Sequence, residues 1–136
     1  MLKNKQVVDV MMANDAFSRW LGIEVEEVKE GYCRLQMKVR EEMLNGFYIA
    51  HGGITYSLAD SALAFAANSH GQKAVSVETS ISHLLPVKAG DTLIAEAFEK
   101  SVTNKIGVYE VEIKNQEKQL VALFKGTVYR TSKIWE

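Results

Sequence analysis

The stretch NGFYIAHGGITYSLADSALAFAANS, Asn45 to Ser69, decides how this chain is read. It opens as a turn-rich loop, passes through paired glycines at Gly52 and Gly53, and continues as a helix over Ile54–Asn68 that is apolar or small on nearly every side. Such a helix belongs in a core, and its alanines let a sheet approach its axis closely. Yet Asp60 sits in its middle, and an ionised carboxylate is costly to bury without a partner. The glycines offer the counterpart, because backbone N–H groups at a helix N-terminus point at negative charge and stabilise it. An oxyanion forming at one end and an acid two turns further along are what acyl-group hydrolysis requires.

The rest of the chain fits one small domain, residues 1–136. Sixteen Lys+Arg against 17 Asp+Glu leave a net charge of −1, which speaks against a nucleic-acid surface or a polybasic membrane anchor. The single cysteine, Cys33, excludes an internal disulfide and fits a reducing, cytoplasmic setting. The N-terminal MLKNKQVVDVMMANDAF is periodic and interrupted by Asp9 and Asp15, unlike a secretory leader. No apolar run approaches the roughly 20 residues needed to cross a bilayer.

Periodicity supplies the elements. Val7–Leu21 predicts an amphipathic helix with a break near Asn14–Asp15 and an end at Gly22. Ile23–Val28 and Tyr32–Val39 predict two strands about a turn at Glu30–Gly31. In the second strand Cys33, Leu35, Met37 and Val39 alternate with Arg34, Gln36 and Lys38, so Cys33 reads as a core residue rather than a catalytic thiol. Gly71 is placed to close the central helix in a left-handed cap, with His70 as a partner for the negative helix end. Ala74–Leu84, Thr92–Lys100, Gly107–Lys114 and Leu120–Arg130 read as strands, and His83 as a strand residue facing solvent or an interface. The order predicts an α+β domain in which an antiparallel sheet wraps around a long central helix.

Motif order adds a family. MLNG at Met43–Gly46, HGG at His51–Gly53, SLAD at Ser57–Asp60, NS at Asn68–Ser69, AGDTL at Ala89–Leu93, GVYEVEI at Gly107–Ile113 and VALFKG at Val121–Gly126 together resemble the hotdog-fold thioesterases, and within them the phenylacetate-pathway (PaaI-like) acyl-CoA thioesterases. The resemblance implies hydrolysis of an acyl-CoA thioester without metal or other cofactor, in a homodimer or in a homotetramer built as a dimer of dimers. It implies an aryl-acetyl substrate such as phenylacetyl- or hydroxyphenylacetyl-CoA. Carried over residue by residue, it makes Asp60 the acid and the Gly53 N–H the oxyanion donor, with His51 and Asn45 supporting the site. Members of the family often have Arg before the proline matching Pro86, where this chain has Leu85.

The residues themselves carry parts of that assignment. An aspartate either takes a proton from water or attacks the thioester carbonyl directly, and the sequence leaves both routes open. Gly53, and Gly52 beside it as a substrate contact, suit a backbone that must approach a ligand closely. His51 and Asn45 each have a plain structural alternative, a loop clamp and a turn former. Ser76 and Thr79 are candidates to position water against Asp60, Phe47, Tyr48, Tyr56 and Phe65 to line a ring-sized pocket, and Lys73, Lys88, Lys100 and Lys105 to meet coenzyme A phosphates. Gly53 and Asp60 lie seven residues apart, about 10 Å along a helix, which favours a site shared by two subunits. Scattered histidines give no metal-ligand spacing. The alternatives are a non-catalytic acyl-CoA-binding sensor of the same fold and a hotdog dehydratase, the latter without its usual His-Phe-Pro stretch here.

Overall fold

Alternation in the outer segments resolves into one six-stranded antiparallel sheet in the order β1-β2-β4-β5-β6-β3. The computed structural model describes all residues from Met1 to Glu136. The strands are β1 (Glu24–Lys29), β2 (Tyr32–Lys38), β3 (Gln72–His83), β4 (Thr92–Val102), β5 (Ile106–Lys114) and β6 (Leu120–Ile134). Helices α1 (Lys5–Asn14) and α2 (Ala16–Leu21) precede the sheet, and α3 (Gly52–Asn68) packs across its face against β2, β3, β4, β5 and β6. This is the hotdog arrangement that the motif order implies.

The packing follows from side-chain size. On the inner face Cys33, Leu35 and Met37 of β2 and Tyr109, Val111 and Ile113 of β5 are fully buried. Between them β4 presents Ala95 and Ala97, paired with Leu35 and Cys33. Small residues there leave room for Leu58, Leu63 and Phe65 of α3, each worth roughly 1.5–3 kcal/mol on burial. The Cys33 Sγ lies 3.2 Å from the Ala62 carbonyl, and burial pushes its thiol far up, so it is inert.

Local signals explain the boundaries. Asp15 separates α1 from α2 because its carboxylate accepts the Ser18 N–H at 2.9 Å and starts a new helix. Helix α3 starts at Gly52, two residues earlier than the apolar run suggests, because the His51 ring supplies the cap. Strands β4 and β6 run beyond their expected ends to Val102 and Ile134, where polar residues hide strands that β5 and β3 complete by pairing.

One expectation is overturned. His70 does not serve the helix end: the Ser69 N–H and Oγ bond the last-turn carbonyls instead. The His70 ring bridges two carboxylates, Glu99 at 2.6 Å and Glu30 at 3.1 Å. Burial alone would raise Glu99, but hydrogen bonds from Tyr109 and His70 outweigh it and hold that carboxyl below its usual range.

Gly71 does end the helical path, at φ +100°, with its N–H on the Asn68 carbonyl at 2.9 Å. A Cβ there would stand 2.7 Å from the Leu2 carbonyl oxygen. Gly71→Ala is therefore expected to destabilise the protein by about 1–3 kcal/mol, read as a lower urea midpoint with an unchanged m-value.

Candidate active site

The loop before α3 is held by its own first residue. Asn45 Oδ1 accepts the Phe47 N–H at 2.8 Å and the Ile49 N–H at 3.4 Å, which leaves the side-chain amide donors unspent. Phe47 and Tyr48 stand at the tip, 84% and 83% exposed. At the end of the loop the His51 N–H donates to the Met43 carbonyl at 2.9 Å, and the ring Nδ1 accepts the Gly53 N–H at 2.8 Å. That contact places the neutral ring's proton on Nε2. It also corrects the sequence reading in one respect: the Gly53 N–H is already committed to His51, whereas the Gly52 N–H has no acceptor in the chain.

Gly52 opens on a pocket of about 380 Å³ lined by Asn45, Thr55 and His83 and by apolar residues that include Ile49, Leu85 and Val121. The imidazole of His83 lies so close that a Cβ on Gly52 would meet its Nε2 at 3.2 Å. A side chain here would press the ring aside by a few tenths of an ångström, so glycine leaves the N–H uncovered beside it. His83 is held by Thr55, whose Oγ1 is 3.2 Å from Nδ1. The sequence placed His83 on a strand facing solvent or an interface, and it is an exposed residue of β3; its place beside Gly52 carries no local signal, because the two are far apart in the chain.

Asp60 faces a different pocket, of about 270 Å³, with Met11, Asn68, Val75, Ser76 and Val128. The carboxylate is half-buried and has no hydrogen-bond partner in the chain. Burial first, and then the negative charge of Asp15, raise its pKa above the usual carboxylate range. Asp15 is held nearby: its Oδ2 accepts from Ser18 Oγ at 2.7 Å, and that oxygen lies 2.8 Å from Ser61 Oγ. The sequence marked Asp15 only as a helix break. A raised acid at neutral pH is a stronger base than a free one, as proton abstraction needs.

The predicted residues thus fall into two groups. Asn45, His51, Gly52 and Gly53 gather at the start of α3, and Asp60 and Ser76 gather two turns away. No pocket of the single chain contains both groups. Thr79 belongs to neither, because its Oγ1 bonds the Tyr56 hydroxyl at 2.5 Å. The four aromatics named for a ring-sized pocket do not line a common one in the single chain: Phe65 is core, Tyr56 packs edge-on against Phe124, and Phe47 and Tyr48 are exposed. Of the candidate lysines, Lys100 pairs with Glu110 at 3.3 Å and Lys73 covers the Trp135 ring. No group of three or more His, Cys, Asp or Glu side chains converges in a metal-binding arrangement.

Comparison with known proteins supplies the context for these groups. The thioesterase superfamily matches residues 47–122. The acyl-coenzyme A thioesterase PaaI of Escherichia coli is 43% identical over 125 residues, covering 92% of this chain and 89% of that protein. The structure of the E. coli PaaI protein from the phenylacetic acid degradation operon superposes with a TM-score of 0.93 at 42% identity, covering 95% of this chain and 94% of that one. A hypothetical thioesterase protein from Streptococcus pneumoniae, solved with coenzyme A, superposes at 0.86 with 28% identity over 92% of this chain and 99% of its own.

The raised pKa of Asp60 has a thermodynamic consequence. A carboxyl held above its unfolded-state pKa contributes stability at acid pH that is lost as pH rises through the folded-state value, so the ionised form is a net cost at neutrality. Asp60→Asn is expected to melt higher than wild type at pH 7, with the difference vanishing toward acid pH. Asp15→Asn keeps a capping side chain and removes part of the repulsion, so it should recover part of the gain. Melting curves across pH check both.

Proposed function

This chain belongs to the thioesterase superfamily and is a thioester hydrolase, and from that premise we propose a PaaI-type acyl-CoA thioesterase whose active sites form between two subunits. One observation carries the reading. The free Gly52 N–H and the unpartnered Asp60 carboxylate lie in separate pockets, eight residues apart on one helix and therefore about 12 Å apart along its axis.

Strand β3 supports the way in which two chains unite them. It is twelve residues long, lies at the sheet edge, and exposes Val75 (57%) and Val77 (61%). A long apolar edge is a template for pairing with another strand. Antiparallel pairing of two β3 strands about their middle brings the His83 end of one beside the Gln72–Ser76 end of the other. The Gly52 pocket of one subunit then meets the Asp60 pocket of its partner, giving two equivalent sites per dimer. A homotetramer follows if two such dimers associate.

In the proposed reaction the thioester carbonyl lies against the Gly52 N–H, which stabilises the oxyanion as it forms, an effect on the order of 3 kcal/mol for one donor. Gly53, given that role by sequence, instead orients His51. Asp60 of the other subunit takes the proton of an attacking water or attacks the carbonyl itself, and either route begins from the ionised carboxylate. Ser76, in the same pocket, is placed to orient that water. The acyl group we propose is aryl-acetyl, on the strength of the similarity to PaaI, and a buried free thiol at Cys33 suits a cytoplasmic enzyme.

Two experiments test the proposal. Asp60→Asn should lower kcat by a factor on the order of 10²–10⁴ while leaving the protein folded, and near wild-type turnover would remove Asp60 from the mechanism. Gly52→Pro deletes the donor at a helix-start position that tolerates proline. Mixing the two inactive variants with subunit exchange should restore about a quarter of wild-type activity, since half of the dimers are mixed and each has one intact site. Verified mixed dimers that stay inactive would refute the shared site. For the substrate, kcat/KM over a panel of acyl-CoA thioesters should peak at aryl-acetyl groups, and a maximum at medium-chain acyl groups would replace that assignment.

A further inference from the structure

His83 stands where the reaction above gives it no task, and its hydrogen bonds define what it offers. The Thr55 hydroxyl has one proton, and it lies 3.1 Å from the Gly52 carbonyl, which only accepts. The second contact of that oxygen, to His83 Nδ1 at 3.2 Å, must therefore be donated by the imidazole. In the neutral ring Nδ1 then holds the proton, and Nε2 is left with a lone pair. That nitrogen lies 3.2 Å from where a Cβ of Gly52 would stand, beside the free N–H, and no group of the chain donates to it. Around it the pocket holds Asn45 and the apolar side chains of Ile49, Ala50, Leu85, Val87 and Val121. The ring is exposed, so this lone pair is open to solvent and free to accept from a ligand N–H that enters the pocket.

We propose that His83 is a specificity-determining residue whose Nε2 accepts the amide N–H of the substrate's thiol arm. The inference rests on the acyl-CoA thioesterase reading. A coenzyme A thioester carries an amide N–H two methylenes beyond its sulfur. With the carbonyl oxygen on the Gly52 N–H, the sulfur lies on the adjoining atom and the amide comes within the span of the pocket wall that His83 forms. One wall thereby recognises both ends of the reacting unit, the carbonyl through Gly52 and the thiol arm through His83. This distinguishes a cysteamine-type thioester from one built on a plain alkyl thiol.

The test pairs two substrates with the same acyl group, an N-acetylcysteamine thioester, which keeps the amide N–H, and a pentanethiol thioester of similar length, which lacks it. Wild type should prefer the first by about tenfold in kcat/KM, chiefly through KM, as one well-placed hydrogen bond provides. His83→Phe should bring the ratio near one, and His83→Gln, whose Oε1 can accept, should restore part of it. Equal kcat/KM for the two substrates with wild type overturns the assignment without any variant. So does a His83→Phe enzyme that keeps the preference, or one that loses kcat equally on both. Absence of turnover on either substrate and on acyl-CoA by wild type instead overturns the thioesterase reading, and the role of His83 with it.

Discussion

The seating of α3 on the inner face of the sheet is the constraint on which the rest depends. A helix with Leu58, Ala62, Leu63, Phe65 and Ala66 all buried is stable only when strands cover most of its circumference. The strands answer with Cys33, Leu35, Ala95, Ala97 and Val111, all fully buried, whose small members let the helix lie close to the sheet. Because the helix is held on so many sides, its start and its middle are fixed relative to the sheet, and the groups displayed there inherit that rigidity.

Two polar features emerge from this apolar seating, each at a place where the wrapping is incomplete. At the N-terminus the first N–H groups lack helical acceptors. His51 satisfies one of them, on Gly53, and leaves that of Gly52 without an acceptor in the chain. In the middle, Asp60 occupies a side that α1 and β3 only partly cover. Its charge is disfavoured there by burial and by Asp15. Both features are departures from full satisfaction in the single chain, and both are the groups on which the proposed two-subunit site draws. Departures from packing rules of this kind are expected to collect at functional sites.

The open edge of β3 belongs to the same logic. Its neighbour β6 pairs one edge of it, the other edge has no strand partner, and the exposed residues along it include Val75 and Val77. Proteins ordinarily blunt such an edge, and a long open one is the feature on which the proposed pairing of two copies rests. The strand runs past both candidate pockets, with Ser76 in one and His83 in the other. The proposed assembly and the proposed chemistry thus draw on one element.

Hydrophobic period and punctuation in the sequence were enough to determine the helix–strand order, the buried α3, the inner face of β2, the break at Asp15 and the singular position of Asp60. These are short-range properties, set by neighbours a few residues away, and family motif order extended them to the hotdog arrangement. Tertiary structure alone decided which glycine keeps a free N–H, because that turns on the direction of the His51 ring rather than on residue type. It also decided that His70 serves Glu99 and Glu30. It brought His83 beside Gly52 and Asp15 within reach of Asp60, and it dispersed the four aromatics named for one pocket. Each of these depends on which groups from distant parts of the chain meet in space, and hydrogen bonds and charge interactions, unlike periodicity, depend on those meetings.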